Sequence, residues 1–190
     1  MAEFILYTGP MFSSKTTKLL MEADTRHYRK QKIVAFKSRL DDRYSSFGEI
    51  VTHNFNKLTA HLVDTGEEML KKLCDISESG QDVDCVIIDE LFMIDGGADA
   101  CINLFKNGYN VVVASIDLSF LGEPFEEISK IMPYCTKIEK CTAVCPVCGE
   151  DARYTFKKKF QPNDEEEIIQ VGGDDLYEPR CQLHYNYMQL

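Results

Sequence analysis

The chain has 190 residues, 44% of them hydrophobic, which suffices for one α/β core with a small appendage and excludes two ordinary domains. A formal net charge of −10 and a pI near 4.9 exclude broad binding to a nucleic-acid backbone, which rests on Lys and Arg neutralising phosphates. The start, MAEFILYTGPM, has no basic leader, and its apolar run is far shorter than the roughly 20 residues of a membrane span, so a cytoplasmic, membrane-free protein is expected.

Phe4 to Tyr7 reads as a strand, Lys15 to Lys30 as a helix and Lys32 to Lys37 (KIVAFK) as a second strand. Glu67 to Ile76 reads as a helix, Cys85 to Ile88 as a short strand of the fully buried type, Asp99 to Asn107 as a helix and Asn110 to Ile116 (NVVVASI) as a strand. This alternation predicts an α/β fold, a parallel sheet with helices on both faces. After about Cys135 the pattern changes: cysteines cluster, charge rises in KKKFQPNDEEE, and Val171-Gly172-Gly173-Asp174 reads as a turn. A boundary near Thr142 divides the chain into residues 1–142 and 143–190.

Gly9, Pro10, Met11, Phe12, Ser13, Ser14, Lys15 and Thr16 follow a strand and open a helix, the context that a G-x-x-x-x-G-K-[ST] phosphate loop requires. Such a loop wraps backbone N–H groups around phosphate oxygens above a helix N-terminus, with a Lys bridging phosphates and a hydroxyl on Mg²⁺. Lys15 and Thr16 fit the last two roles. The second glycine of the pattern is Ser14 here, so the tightest part of the wrap carries a side chain; strain or an outward shift, and weaker phosphate binding, are expected.

Asp89 and Glu90 end a buried strand at the edge where parallel sheets bind ligands. Asp89 is expected to reach Mg²⁺ and Glu90 to accept a proton from an attacking hydroxyl. An acidic pair in that place is otherwise a solvated loop; the phosphate loop favours the functional reading.

Cys145-Pro-Val-Cys148 and Cys181-Gln-Leu-His184 make a C-x₂-C with a C-x₂-H, four ligands suited to a closed, structural Zn²⁺ site. Such a metal ties together the ends of the segment Gly149 to Arg180. Cys135 and Cys141 lie close enough in sequence to compete as ligands, while Cys74, Cys85 and Cys101 read as small core residues.

In order along the chain, GPMFSSKTT, LDDRYSS, IIDE, IDLSFLGEPF, KCTAVCPVC, ARYT and VGGDDLYEPRC resemble the cytosolic, zinc-containing (type II) thymidine kinase family over nearly the whole length. The resemblance implies a P-loop, RecA-like core and a small zinc-ribbon-like domain whose long lasso loop closes over thymidine. It also implies ATP and Mg²⁺ as co-substrates, deoxyuridine as a second acceptor, feedback binding of dTTP and a homotetramer. Carried over by position, Glu90 matches the catalytic base, and Lys15, Thr16 and Asp89 match the ATP and Mg²⁺ groups. Asp41 and Arg43 match positions beside the nucleotide and sugar, and Phe120 the aromatic that packs on the thymine ring. Met11, Thr155 and Tyr177 match residues around the 5-methyl group, and Ile168, Ile169, Gln170, Val171 and Gly172 match lasso backbone that hydrogen-bonds base and sugar. Outside that context, Phe120 and Tyr177 read as ordinary core or surface aromatics.

The chain departs from the family at Ser14, at Leu91-Phe92-Met93, where a small residue, Gln and Phe usually follow the acidic pair, and at His184, where animal members have Cys. Two other functions fit some of these motifs: a zinc-ribbon nucleic-acid-dependent ATPase, against which the acidic charge argues, and a weakened nucleotide-binding homologue, motivated by Ser14 and Phe92.

Overall fold

The computed structural model describes residues 1–41, 48–51, 57–158 and 172–185. The fully buried run FILYT forms β1 (Phe4–Thr8), which passes through the phosphate loop into α1 (Lys15–Tyr28). There follow β2 (Ile33–Ser38), the hairpin strands β3 (Glu49–Val51) and β4 (Lys57–Thr59), and the short β5 (His61–Val63). Helix α2 (Gly66–Glu78) is capped by the Thr65 hydroxyl, which accepts from the Glu68 N–H at 3.2 Å. Next come β6 (Cys85–Asp89), α3 (Gly97–Lys106), β7 (Asn110–Ser115), α4 (Glu126–Ile131) and β8 (Lys137–Lys140).

These strands form a six-stranded sheet in the order β5-β2-β6-β7-β1-β8, with every pairing parallel. Successive side chains alternate between its two faces. Phe4, Leu6, Val86, Ile88, Val111 and Val113 pack on one side with Met69 and Leu73 of α2, Ala98, Cys101 and Leu104 of α3, and Ile128 and Ile131 of α4. Ile5, Tyr7, Ile87, Val112 and Ala114 pack on the other with Leu19, Leu20 and Ala23 of α1 and Ile50 of the hairpin. Truncating one of the central residues, Ile88→Ala for example, removes a fully buried side chain and costs roughly 2–5 kcal/mol.

Beyond β8 the chain leaves the sheet. β9 (Ala143–Val144) pairs antiparallel with β10 (Asp151–Ala152), and β11 (Tyr154–Lys157) with β12 (Tyr177–Arg180), which runs into the short helix α5 (Gln182–Tyr185).

The expected parallel α/β sheet is present, and each strand expected for it is found within one residue of its expected ends. The edge strands β5 and β8 were not anticipated, because HLV is very short and KIEK is largely exposed and lacks an apolar run. Cys85 and Cys101 are buried as expected. Cys74 is a correction: it is exposed, because the inward stripe of α2 runs through Met69 and Leu73 and leaves the following position facing solvent.

Candidate functional site

β1 and β6 both flank β7, so the phosphate loop and the acidic pair leave the sheet on either side of one strand end. Two hydrogen bonds lock this arrangement: Thr8 Oγ1 donates to Ser115 O at 3.0 Å, and Glu90 N to Ala114 O at 2.8 Å. Gly9 is required where the loop begins. Its φ is 142°, and a Cβ there would lie 2.2 Å from the carbonyl oxygen of Cys141, whose own N–H donates to Thr8 O at 2.6 Å.

Within the loop, Pro10 O accepts from both Lys15 Nζ and Ser13 Oγ, each at 2.7 Å. Phe12 (φ 63°) and Ser14 (φ 60°, ψ 22°) both take the left-handed conformation, so the loop wraps tightly without a second glycine. The first turn of α1 carries no acidic residue, in contrast to α2, α3 and α4, which leaves the positive end of that helix available to an anion. Burial pulls the pKa of Lys15 down, while the carboxylates of Glu90 and Asp89, then Cys141 and Asp117, pull the other way.

Thr16 Oγ1 lies 3.4 Å from both carboxylate oxygens of Asp89. A hydroxyl facing a carboxylate beside a phosphate loop is the donor set that Mg²⁺ takes in this class of loop, so the residues fit the ion. The neighbouring Glu90 is buried and also left-handed (φ 53°, ψ 49°). A buried carboxylate in a left-handed conformation beside Asp89 makes Glu90 a candidate functional position. Asp41 is buried too and pairs with the buried Lys37 across 3.3 Å at the C-terminal end of β2. Phe92, where the family has a polar residue, turns into the core and packs its ring 4.6 Å from that of Phe125.

The β7–α4 connection carries Phe120, buried to 3% exposure, with its ring 6.4 Å from that of Tyr177. The ammonium of Lys157 sits 4.9 Å from the Phe120 ring centroid, within cation–π range. Thr155 Oγ1 accepts from Met11 N at 3.1 Å, which brings β11 against the phosphate loop. Met11, Thr155, Phe120 and Tyr177, distant in sequence, are thus drawn toward one region. Gly172 is described and precedes a turn in which Leu176 N and Tyr177 N both donate to Gly173 O. Arg43, Ile168, Ile169, Gln170 and Val171 lie outside the described residues.

Cys145, Cys148, Cys181 and His184 present four ligand atoms within 4.8 Å of one another. Cys148 Sγ and Cys181 Sγ are 3.7 Å apart, close to the ~3.8 Å edge of a tetrahedron with ~2.3 Å Zn–S bonds. His184 Nδ1 lies 3.7 Å from Cys145 Sγ and 3.1 Å from Cys181 Sγ. Partial desolvation works against the Cys145 thiolate, but backbone N–H groups of Cys181, Val147 and Cys148 outweigh it and bring its pKa down to about 6. These residues fit a tetrahedral zinc-type site. The competing cysteines are elsewhere: Cys141 is buried beneath the phosphate loop, and Cys135 Sγ contacts Ile131 O at 3.3 Å.

Sequence reasoning missed Lys157, Lys37 and Tyr185. Lys157 opens the run KKK, which reads as solvated, yet it is 3% exposed; no periodic signal could have separated it from Lys158. Among the described residues, no helix is long and apolar enough to cross a membrane.

A parallel sheet flanked by helices, a phosphate-type loop facing a carboxylate pair and an appended Cys/His knuckle together define a P-loop nucleotide-binding fold with a small candidate metal site. The thymidine kinase family model matches residues 2–185. The chain is 33% identical over 182 residues to the thymidine kinase of Aster yellows witches'-broom phytoplasma (strain AYWB), covering 93% of this chain and 83% of that one. Among solved structures, a DNA replication initiation factor aligns with a TM-score of 0.38 and 11% identity, over 74% of this chain and 40% of that one. The chain belongs to the thymidine kinase family, an enzyme family of phosphotransferases.

Proposed function

We propose that the chain transfers the γ-phosphate of ATP to the 5′-hydroxyl of thymidine, giving dTMP and ADP in nucleotide salvage, with deoxyuridine as a second acceptor. The observation that carries this reading is the convergence of Lys15, the Thr16–Asp89 pair and the buried Glu90 around one strand end, in a chain of this family.

In this reading Gly9 to Thr16 hold the phosphates through backbone N–H groups, and Lys15 exchanges its bond to Pro10 O for phosphate oxygens. Thr16 and Asp89 would hold Mg²⁺, which when bound neutralises charge on the transferring phosphoryl group. Glu90 takes the proton of the 5′-hydroxyl as the oxygen attacks phosphorus. Phe120 packs on the base, Met11, Thr155 and Tyr177 enclose its 5-methyl group, and the backbone of residues 168–172 hydrogen-bonds its polar edge. Asp41 and Arg43 stand beside the nucleotide and sugar. Main-chain donors suit a pyrimidine edge because they cannot drift as side chains do.

The knuckle would hold a structural zinc that fixes the ends of the segment between Cys148 and Cys181. The division into a nucleotide-binding part, 1–142, and a substrate-closing part, 143–190, follows from these roles. The family likeness also supports a cytoplasmic homotetramer that binds dTTP as a feedback ligand.

A nucleoside panel assayed for phosphorylation with Mg·ATP tests the reading. Thymidine is expected to turn over fastest, deoxyuridine measurably, and purine nucleosides not at all. ATP binding without turnover of any nucleoside would replace the enzyme with a nucleotide-binding homologue.

A further inference from the structure

Tyr185, the last residue of α5 and the neighbour of the ligand His184, reaches out of the metal-bearing segment. Its hydroxyl donates to the backbone carbonyl of Phe120 at 2.8 Å, a bond spanning 65 residues of sequence. The ring is fixed at its other end: it stacks on Tyr154 with centroids 4.5 Å apart and planes 12° from parallel. Its backbone is fixed as well, since Tyr185 N and His184 N both donate to Cys181 O, at 3.0 and 3.1 Å. The receiving loop fits closely around the hydroxyl. Gly122 has a φ of 79°, and a Cβ there would stand 2.9 Å from Tyr185 Oη. Ser119 N bonds Glu123 O at 2.8 Å and Gly122 N bonds Ser119 O at 3.0 Å, so the turn holding Phe120 is itself tightly closed.

We infer that Tyr185 is a positioning residue for the nucleoside: its hydroxyl fixes the backbone of Phe120 and thereby the height and tilt of the ring on which the base packs. The inference rests on the reading of Phe120 as the base platform. A ring that must meet a flat base cannot be set by its own side-chain torsions alone, because a shift of its Cα moves the whole face. The carbonyl is the last point of control before the side chain, and Tyr185 holds it from an element anchored beside two of the four ligand residues, Cys181 and His184. The bonded pair itself, Tyr185 Oη and Phe120 O, joins α5 to the β7–α4 connection, so the effect is expected at the nucleoside and not at ATP.

The test is Tyr185→Phe, which keeps the stack on Tyr154 and deletes the hydrogen bond. Thymidine Kd by calorimetry is expected to rise about three- to tenfold, the scale of one lost buried hydrogen bond, with KM following, kcat within twofold, and ATP affinity and zinc content unchanged. Gly122→Ala, which crowds the same contact from the other side, is expected to raise thymidine Kd likewise and serves if Tyr185→Phe folds poorly. A lower melting temperature with unaltered thymidine Kd in both variants makes the bond merely structural and overturns the inference. Phe120→Leu is measured alongside. If it weakens thymidine binding while Tyr185→Phe and Gly122→Ala do not, only the Tyr185 role falls; if none of the three weakens it, the platform reading falls as well.

Discussion

Met11 N donates to Thr155 Oγ1 across 3.1 Å, and Thr155 is only 3% exposed, so a buried hydrogen bond joins the phosphate loop to β11. β11 is paired with β12, Thr155 opposite Pro179 and Lys157 opposite Tyr177, and β12 leads directly into Cys181. The phosphate-type loop is therefore joined to the Cys/His cluster through this ribbon as well as by Phe12, which packs against the small apolar cluster containing Cys145 and Cys181.

Metal removal should be felt at the nucleoside before it is felt by the sheet. Protein purified without chelator is expected to carry one zinc per chain, bound by Cys145, Cys148, Cys181 and His184. Stripping it should abolish thymidine binding at temperatures where the core still gives a native far-ultraviolet spectrum, because the ligands anchor β12 and α5 and not the six-stranded sheet. Elemental analysis that finds no metal, or thymidine binding that survives until the sheet melts, would contradict this.

Glu90→Gln keeps the size of the side chain while removing the carboxylate proposed as the base. kcat is expected to fall roughly 10²-fold or more, with ATP and thymidine binding largely preserved. A variant within about threefold of the parent in kcat would take Glu90 out of the proton transfer.

Ser14 adopts φ 60° and ψ 22°, a left-handed conformation whose strain in the folded loop is expected to show in stability. A left-handed non-glycine residue costs about 1–2 kcal/mol, and glycine returns part of that as extra unfolded-state entropy of about 0.4–1 kcal/mol. Ser14→Gly should accordingly raise Tm by about 2–4 °C, the shift for ~1 kcal/mol in a chain of this size, while kcat/KM for ATP changes less than about threefold. A tenfold gain with ATP and an unmoved Tm would locate the strain in the nucleotide-bound loop instead.

Alkaline stability offers a check on the packing of β6. Burial pushes the Cys85 thiol from 9.0 up to about 12. The unfolded chain releases that proton first, so the stabilisation is complete below pH 9 and declines as pH rises from there toward 12, by about 1.4 kcal/mol per unit. Cys85→Ala is expected to be less stable than the parent at pH 8 but to lose Tm less steeply between pH 9 and 10.5. Parallel Tm curves for the two proteins would show that the thiol is not shielded.

Much of this molecule could be read directly from residue order. Buried strands such as CVII and NVVVAS declare themselves as continuous apolar runs because both faces of a parallel sheet are covered, and the phosphate loop and the C-x₂-C…C-x₂-H spacing are local chemistry whose residues must be close in sequence to work. Other features had no sequence signal. Strands β5 and β8 are held by pairing at the sheet edges and not by an apolar run, and Lys157 is buried with its ammonium near the Phe120 ring although two more lysines follow it in the chain. Cys141 is kept out of the Cys/His cluster because the end of β8 packs against Gly9 beneath the phosphate loop, and Cys135 because its thiol lies on Ile131 O before β8 begins. The left-handed turn at Ser14 was legible from the glycine that the loop pattern places there, whereas the bond from Met11 to Thr155 and the reach of Tyr185 to Phe120 depend on elements far apart in the chain. Sequence alone determined which chemical groups are present and which elements carry them; tertiary packing decided which of those groups face one another, because contacts across 65 to 144 residues are set by the sheet order and leave no periodicity to read.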